Sequence, residues 1–203
     1  MLVSSFILIF GFLISLSIHE AAHAWMADRL GDPTARLNGR LSLNPLAHLD
    51  PIGTFLPIFL LFTGSPIVFG WGKPVPFDPY NLRNPRRDSA LISLSGPAAN
   101  LILAIFLSII IRLGYYVFVP IVVLNVTWAL FNLIPVHPLD GGKVLVGFLP
   151  QKLAYRVDEV LHQYGLFLLI FLIFPFAGTS PIALIISPLV QLFLAILLPG
   201  SRT

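Results

Sequence analysis

Cysteine is missing from this 203-residue chain, and charge is scarce. Without a thiol there is no disulfide and no thiolate zinc site, so redox chemistry says nothing about the compartment. Only 10% of the residues are charged, against roughly 25% in a soluble globular domain. The net charge of +3 is dispersed and forms no basic stripe, so nucleic acid is not an expected partner. Internal repeats and low-complexity tracts are also lacking.

What the chain has is apolar residues, 57% of the total. Charge-free runs cover residues 1–18, 51–72, 89–111, 113–139 and 160–201. A spanning helix needs about 20 such residues, and the last run is long enough for two. Its turn, Phe174-Pro-Phe-Ala-Gly-Thr-Ser-Pro181, predicts helices over about 160–175 and 181–199, the first expected to begin before Glu159. Residues 1–24 end in Ala22-His23-Ala24, a small-x-small pattern, but the first basic residue is Arg29. The basic n-region of a signal peptide is therefore missing, and the segment is read as retained.

Run 51–72 carries Pro51, Gly53, Pro57, Gly64, Pro66, Gly70 and Gly72, which break a straight helix repeatedly. If it enters the membrane and returns, Lys and Arg at 29–40, 73–87, 143, 152, 156 and 202 share one side, leaving Arg112 opposite. The positive-inside rule favours that arrangement, and irregular backbone is tolerated at membrane depth where it lines a cavity. The expectation is a multi-pass protein in the cell membrane with its N-terminus outside, five crossings and a cytoplasmic C-terminus. Arg36–Leu43 and Pro66–Phe77 have extended character and are read as short strands flanking the re-entrant piece. Trp25, Trp71 and Tyr80 are read as interface anchors, and His162 as an interfacial residue opening a helix.

Run 1–18 leads directly into His19-Glu20-Ala21-Ala22-His23. On a helix, H-E-x-x-H sets two imidazoles on one face, where both can bind one Zn²⁺, and leaves the glutamate as a base. Charged groups at the end of such a run are costly to insert and need a partner or a purpose. A catalytic zinc site wants three protein ligands. Asp140, in Asn132-Leu-Ile-Pro135-Val-His137-Pro138-Leu-Asp140-Gly-Gly142, ends another charge-free run, and the expected topology brings it to the depth of His19 and His23. Asp140 also stands where it could cap the helix that follows. His48, in a polar loop, is a weaker candidate contact.

The motifs His19-Glu20-Ala-Ala-His23, Ser95-Gly96-Pro97-Ala-Ala-Asn100 and Asn132…Pro135…Pro138-Leu-Asp140-Gly together resemble the site-2 proteases, the M50 family of intramembrane zinc metalloproteases. Arg29-Leu-Gly31-Asp32-Pro33-Thr34-Ala and Gly39-Arg40-Leu-Ser-Leu-Asn44-Pro45 resemble its compact prokaryotic branch, without an inserted soluble domain. The resemblance implies an all-α membrane-embedded peptidase domain over 1–203, with core 1–150, a three-helix catalytic centre and a C-terminal helical pair in 151–203. It implies one zinc per chain on His19, His23 and Asp140, Glu20 as the catalytic base, and transmembrane segments of other proteins as substrates. It also implies that Asn100 and Asn132 line the site and hold substrate, although both residues are equally suited to hydrogen bonding between helices. His137 departs from the pattern of related motifs, and with His48 it is a candidate second contact near the metal.

Two other functions fit buried His, Glu and Asp: a metal or proton transporter, and a catalytically dead scaffold. The ionisable set gathers at one depth rather than forming a path across the bilayer, which disfavours transport. A structural zinc site needs no base, so Glu20 disfavours the scaffold. Segment 51–72 and the following Trp71-Gly-Lys73-Pro-Val-Pro76, with Val68 and Phe69 as probes, are the expected gate and substrate-pairing edge. Reporter fusions should place residue 1 outside and residues 40, 80, 152 and 203 in the cytoplasm. A fusion at 80 reporting from outside would mean that 51–72 crosses.

Overall fold

The computed structural model describes residues 2–64, 72–175 and 178–198, and these are almost entirely helical. Helix α1 (Leu2–Leu30) contains both histidines of the motif. It ends because Gly31 takes φ +109°, a conformation open to glycine. The Gly31 and Asp32 amides then turn back to the carbonyls of Asp28 and Ala27, at 3.2 and 2.9 Å, closing a Schellman motif. Helix α2 (Thr34–Leu37) is one turn, and α3 (Pro51–Phe62) carries Pro57 within it. Helix α4 (Pro85–Arg112) starts with proline at its first position, and its buried Asp88 accepts the Asn84 amide at 2.9 Å. There follow α5 (Val119–Asn132), α6 (Asp140–Phe148), α7 (Gln151–Ile173) and α8 (Pro181–Leu197).

Helix α4 is the hub: α1, α5, α6 and α8 all contact it. At one end Ala104, Leu107, Ile111, Ile121, Val122 and Val126 form a buried cluster from α4 and α5. A second cluster buries Ile134, Val136 and Leu139 of the 133–139 loop against Leu169 of α7 and Ile182 and Ile186 of α8. Pro85–Arg112 and Phe6–Leu30 are both long and apolar enough to cross a membrane. Large apolar side chains such as Phe10, Phe106, Phe167, Phe171 and Ile196 point outward, far more apolar surface than a water-soluble monomer shows.

Several expectations change. Arg36–Leu43 is not a strand, because Asp32 and Pro33 start a helical turn there instead. Its first part is α2, and Gly39 at φ +68° follows. Of Pro66–Phe77, residues 65–71, including Val68, Phe69 and Trp71, lie outside the described residues. The remainder has no regular secondary structure beyond a bridge at Gly72, and Pro74 and Pro76 have no amide to donate to a ladder. Among the described residues pairing is limited to one antiparallel bridge, Leu49 to Gly72, with the Lys73 amide on the His48 carbonyl at 2.9 Å. The chain thus returns at Gly72 to where it departs at Leu49. Run 113–139 is not one helix: α5 ends at Asn132, and the Pro135 and Pro138 loop follows as a chain of turns. Helix α7 begins at Gln151, before Glu159 as expected, and His162 lies within it rather than at its start.

Fully buried Asp32 ties the loops together. Its carboxylate accepts the Thr34 amide and hydroxyl at 3.1 and 2.5 Å, the Asp78 amide at 2.8 Å and the Asn81 side-chain amide at 2.8 Å. Burial would raise its pKa, but these donors prevail and hold it below the ordinary carboxylate value. Asp32→Ala should therefore cost roughly 1–3 kcal/mol at neutral pH. With a depressed folded-state pKa, the stabilisation is complete above the unfolded value of 3.8 and fades as pH falls through the folded value. Thermal melts in detergent should show a constant gap between wild type and variant from pH 7 to 5, narrowing on further acidification.

Candidate metal centre

The spacing of four residues puts His19 and His23 on one face of α1, and that face meets α4. Each imidazole is held by its Nδ1. His23 Nδ1–H donates to the Ile92 carbonyl at 2.7 Å, and His19 Nδ1–H donates to Asn100 Oδ1 at 3.1 Å. With the proton on Nδ1 in both rings, each Nε2 carries a bare lone pair. The two Nε2 atoms lie 3.0 Å apart. Asp140 Oδ2 lies 3.2 Å from one and 3.3 Å from the other.

Three acceptors thus face one another with no proton between them, and Asp140 Oδ2 is buried without a hydrogen-bond partner. In a low-dielectric interior such an arrangement is repulsive unless a cation neutralises it. The separations match those between ligands of a tetrahedral zinc, about 3.3 Å for bonds of about 2.05 Å. Nitrogen and carboxylate donors also suit that ion. The residues present therefore fit one Zn²⁺.

Asp140 reaches the histidines because the loop before it is buried and the glycines after it are small. Asp140 is the first residue of α6 and makes no capping bond to it; its carboxylate turns to the imidazoles instead. A Cβ on Gly141 would collide with the Leu133 and Ile134 carbonyls, and one on Gly142 with the His137 ring. Gly96 plays the matching part on α4, where any Cβ would strike the His19 and His23 rings. Sequence reasoning placed Gly96 in a motif but did not foresee this contact.

Glu20 is nearly buried beside the two histidines and has no hydrogen bond or ion pair among the described residues. Two cations to which sequence reasoning assigned no part in the site stand in its field, buried Arg40 and solvent-exposed Lys143. Burial lowers the pKa of Arg40, with Glu20 opposing, and its guanidinium donates to the Lys73 carbonyl. Partial desolvation of its amine lowers the pKa of Lys143, against the pull of Asp140, Asp158 and Glu20, and that amine sits 4.6 Å over the Phe77 ring.

Asn100 is fully buried and joined to His19, so it orients a ring. Asn132 instead donates to the Trp128 carbonyl of its own helix at 3.0 Å. His48 is buried in the loop, where its Nε2–H donates to the Ser42 carbonyl at 2.6 Å. His137 bonds to Asp158 at 3.1 Å. Among the described residues neither His48 nor His137 bonds to the three donors. Another unforeseen contact is Asn125, which donates to Ser15 at 2.8 Å and joins α5 to α1.

An H-E-x-x-H helix completed by a distant aspartate, within a helical bundle with long apolar helices, defines a zinc metallopeptidase of the membrane-associated kind. Residues 7–119 and 113–172 match the model of peptidase family M50, and the chain belongs to that family of site-2 proteases. YwhC of Bacillus subtilis, a zinc metalloprotease by name, is 36% identical over 181 residues, spanning 81% of this chain and 79% of its own. Rip2 of Mycolicibacterium smegmatis, named likewise, is 33% identical over 84% of this chain and 68% of its own. The zinc metalloprotease MJ0392 of Methanocaldococcus jannaschii is 25% identical over 90% of this chain and 45% of its own. No solved structure gives a significant match.

Gly96→Ala should push both imidazoles off α4. The variant should stay helical by circular dichroism in detergent, while its zinc content, read by atomic absorption, falls well below that of wild type.

Proposed function

We propose that this zinc metalloprotease cuts peptide bonds within or next to transmembrane segments of other proteins, with one zinc per chain held by His19, His23 and Asp140. The observation that carries this reading is the convergence of those three donors, at 3.0–3.3 Å, between two long apolar helices. Zinc bound there supplies a Lewis acid that polarises a peptide carbonyl and acidifies a water. Glu20 accepts the proton of the attacking water, and returns it to the amine nitrogen as the C–N bond breaks. Asn100 keeps the His19 lone pair aimed at the metal by holding its Nδ1–H. Asn132 is proposed to contact substrate.

A helical substrate hides its carbonyls in its own hydrogen bonds, so the peptide must enter extended. An almost wholly apolar groove of about 550 Å³ runs beside the motif, lined by Ile18, Ala22, Trp25, Leu43, Ala98 and Ile102. Such a groove suits an unwound apolar segment arriving sideways from lipid. The Leu49–Gly72 bridge, which joins the two ends of segment 51–72, supports entry and return of that segment. With it go five crossings, an outside N-terminus and a cytoplasmic C-terminus. The same arrangement supports one peptidase domain over 1–203.

Glu20→Gln should lower cleavage of a transmembrane reporter by at least about 10²-fold, the usual contribution of a general base, with zinc content unchanged. Asp140→Ala should lose zinc and activity together. A Glu20→Gln chain that still cuts would remove the glutamate from the reaction, and one that loses zinc would make Glu20 a ligand or structural group.

A further inference from the structure

A second cluster of side chains of metal-ligating type lies apart from the first: His137, Asp158 and His162. Asp158 and His162 stand four residues apart on α7, the same spacing that pairs His19 with His23 on α1. The third donor, His137, comes from the 133–139 loop, which leads directly into Asp140 at the start of α6. One carboxylate oxygen, Asp158 Oδ1, lies 3.1 Å from His137 Nε2 and 3.3 Å from His162 Nδ1. The latter nitrogen donates its proton to the Asp158 backbone carbonyl at 2.9 Å, which leaves the lone pair of that ring on Nε2. The two imidazole rings converge to 4.5 Å between centroids. All three donor atoms fall within 4.8 Å of one another.

We propose that His137, Asp158 and His162 form a second, exchangeable site for a divalent transition metal ion of the Zn²⁺ type. Two imidazole nitrogens and one carboxylate oxygen form a donor set suited to that ion and poorly suited to Mg²⁺ or Ca²⁺. The position of His137 is set in advance. Its side chain is only 10% exposed, and Gly142 and Gly165 let α6 and α7 close on it where any Cβ would collide. Asp158 and His162, by contrast, are 41% and 69% exposed. The site therefore has one fixed ligand and two solvent-facing ones, which lets an ion enter and leave without unfolding the bundle.

An ion there bridges α7 to the loop whose last residue is followed by Asp140. Occupancy would clip the Asp140 loop against α7, so free zinc outside the catalytic centre could bias the placement of the third catalytic ligand. Asp158 is also within the electrostatic reach of Lys143, one turn after Asp140 on α6, so neutralising it changes the field beside the first centre.

The test is metal stoichiometry of the full chain in detergent, without a polyhistidine tag, titrated with Zn²⁺ against a competing chromophoric chelator. Wild type should bind two equivalents. His162→Ala, an exposed substitution, and Asp158→Asn should each bind one, and Asp140→Ala should retain the equivalent that His162→Ala lacks. Added Zn²⁺ should raise the melting temperature of Asp140→Ala, as binding to the folded state must, and leave that of Asp140→Ala/His162→Ala unmoved. A wild type that binds a single equivalent, or His162→Ala and Asp158→Asn chains that still bind two, would overturn the second site. Neither result touches the reading of the first, which is judged by Glu20→Gln.

Discussion

Three unprotonated donors held face to face in an apolar interior impose the constraint on which the rest of this structure depends. Left alone they repel, and burial removes the water that would screen them. The protein accepts this because each imidazole proton is occupied on the far side of its ring, by Ile92 and by Asn100. Those two partners lie on α4, so α4 must run against the histidine face of α1 in one register. Gly96, between them in sequence, makes that approach possible. The centre is therefore a property of a helix pair rather than of the H-E-x-x-H motif alone.

The third donor arrives by a different route. Residues 133–139 have no regular structure to hold them, and prolines deprive them of donors. Burial of Ile134, Val136 and Leu139 against α7 and α8 does the work that a hydrogen-bonded ladder would do elsewhere. The C-terminal helices thus contribute no ligand to the first centre, yet they set the position of Asp140. The same helices face outward with Phe167, Phe171 and Ile196, so one element serves both the apolar exterior and the alignment of a carboxylate.

Outside the helix bundle, polar contacts replace apolar burial. Asp32 gathers donors from three places in the chain, Arg40 reaches the Lys73 carbonyl, and His48 spans its own loop. Together these bonds hold residues 31–50 against 72–81. Since the Leu49–Gly72 bridge belongs to the same knot, both ends of segment 51–72 are anchored, and its first part is α3. Arg40 links this knot electrostatically to Glu20, so the loops and the reacting groups are not independent.

Much was legible in the chain beforehand. The motif, its apolar flank, the small residues Gly96, Gly141 and Gly142, and an isolated carboxylate at Asp140 all follow from side-chain chemistry and the 3.6-residue helical period. These are local properties, so sequence determines them: which residues are helical, which are apolar, and which can bind a metal. What required the tertiary structure was partnership. Asn100 and Asn132 look alike in sequence, yet one orients His19 and the other bonds to its own helix, because α4 crosses α1 at the motif. Extended-looking residues 36–43 start inside the helical turn Thr34–Leu37, whose Thr34 amide Asp32 accepts, and the proline-rich stretch after Gly72 could not form a ladder for want of amides. His137 and His162, 25 positions apart, meet over one carboxylate only because α7 folds back upon the Asp140 loop. Pairings between distant residues depend on how helices dock, and docking is decided by the shape of whole buried faces, which no short stretch of sequence contains.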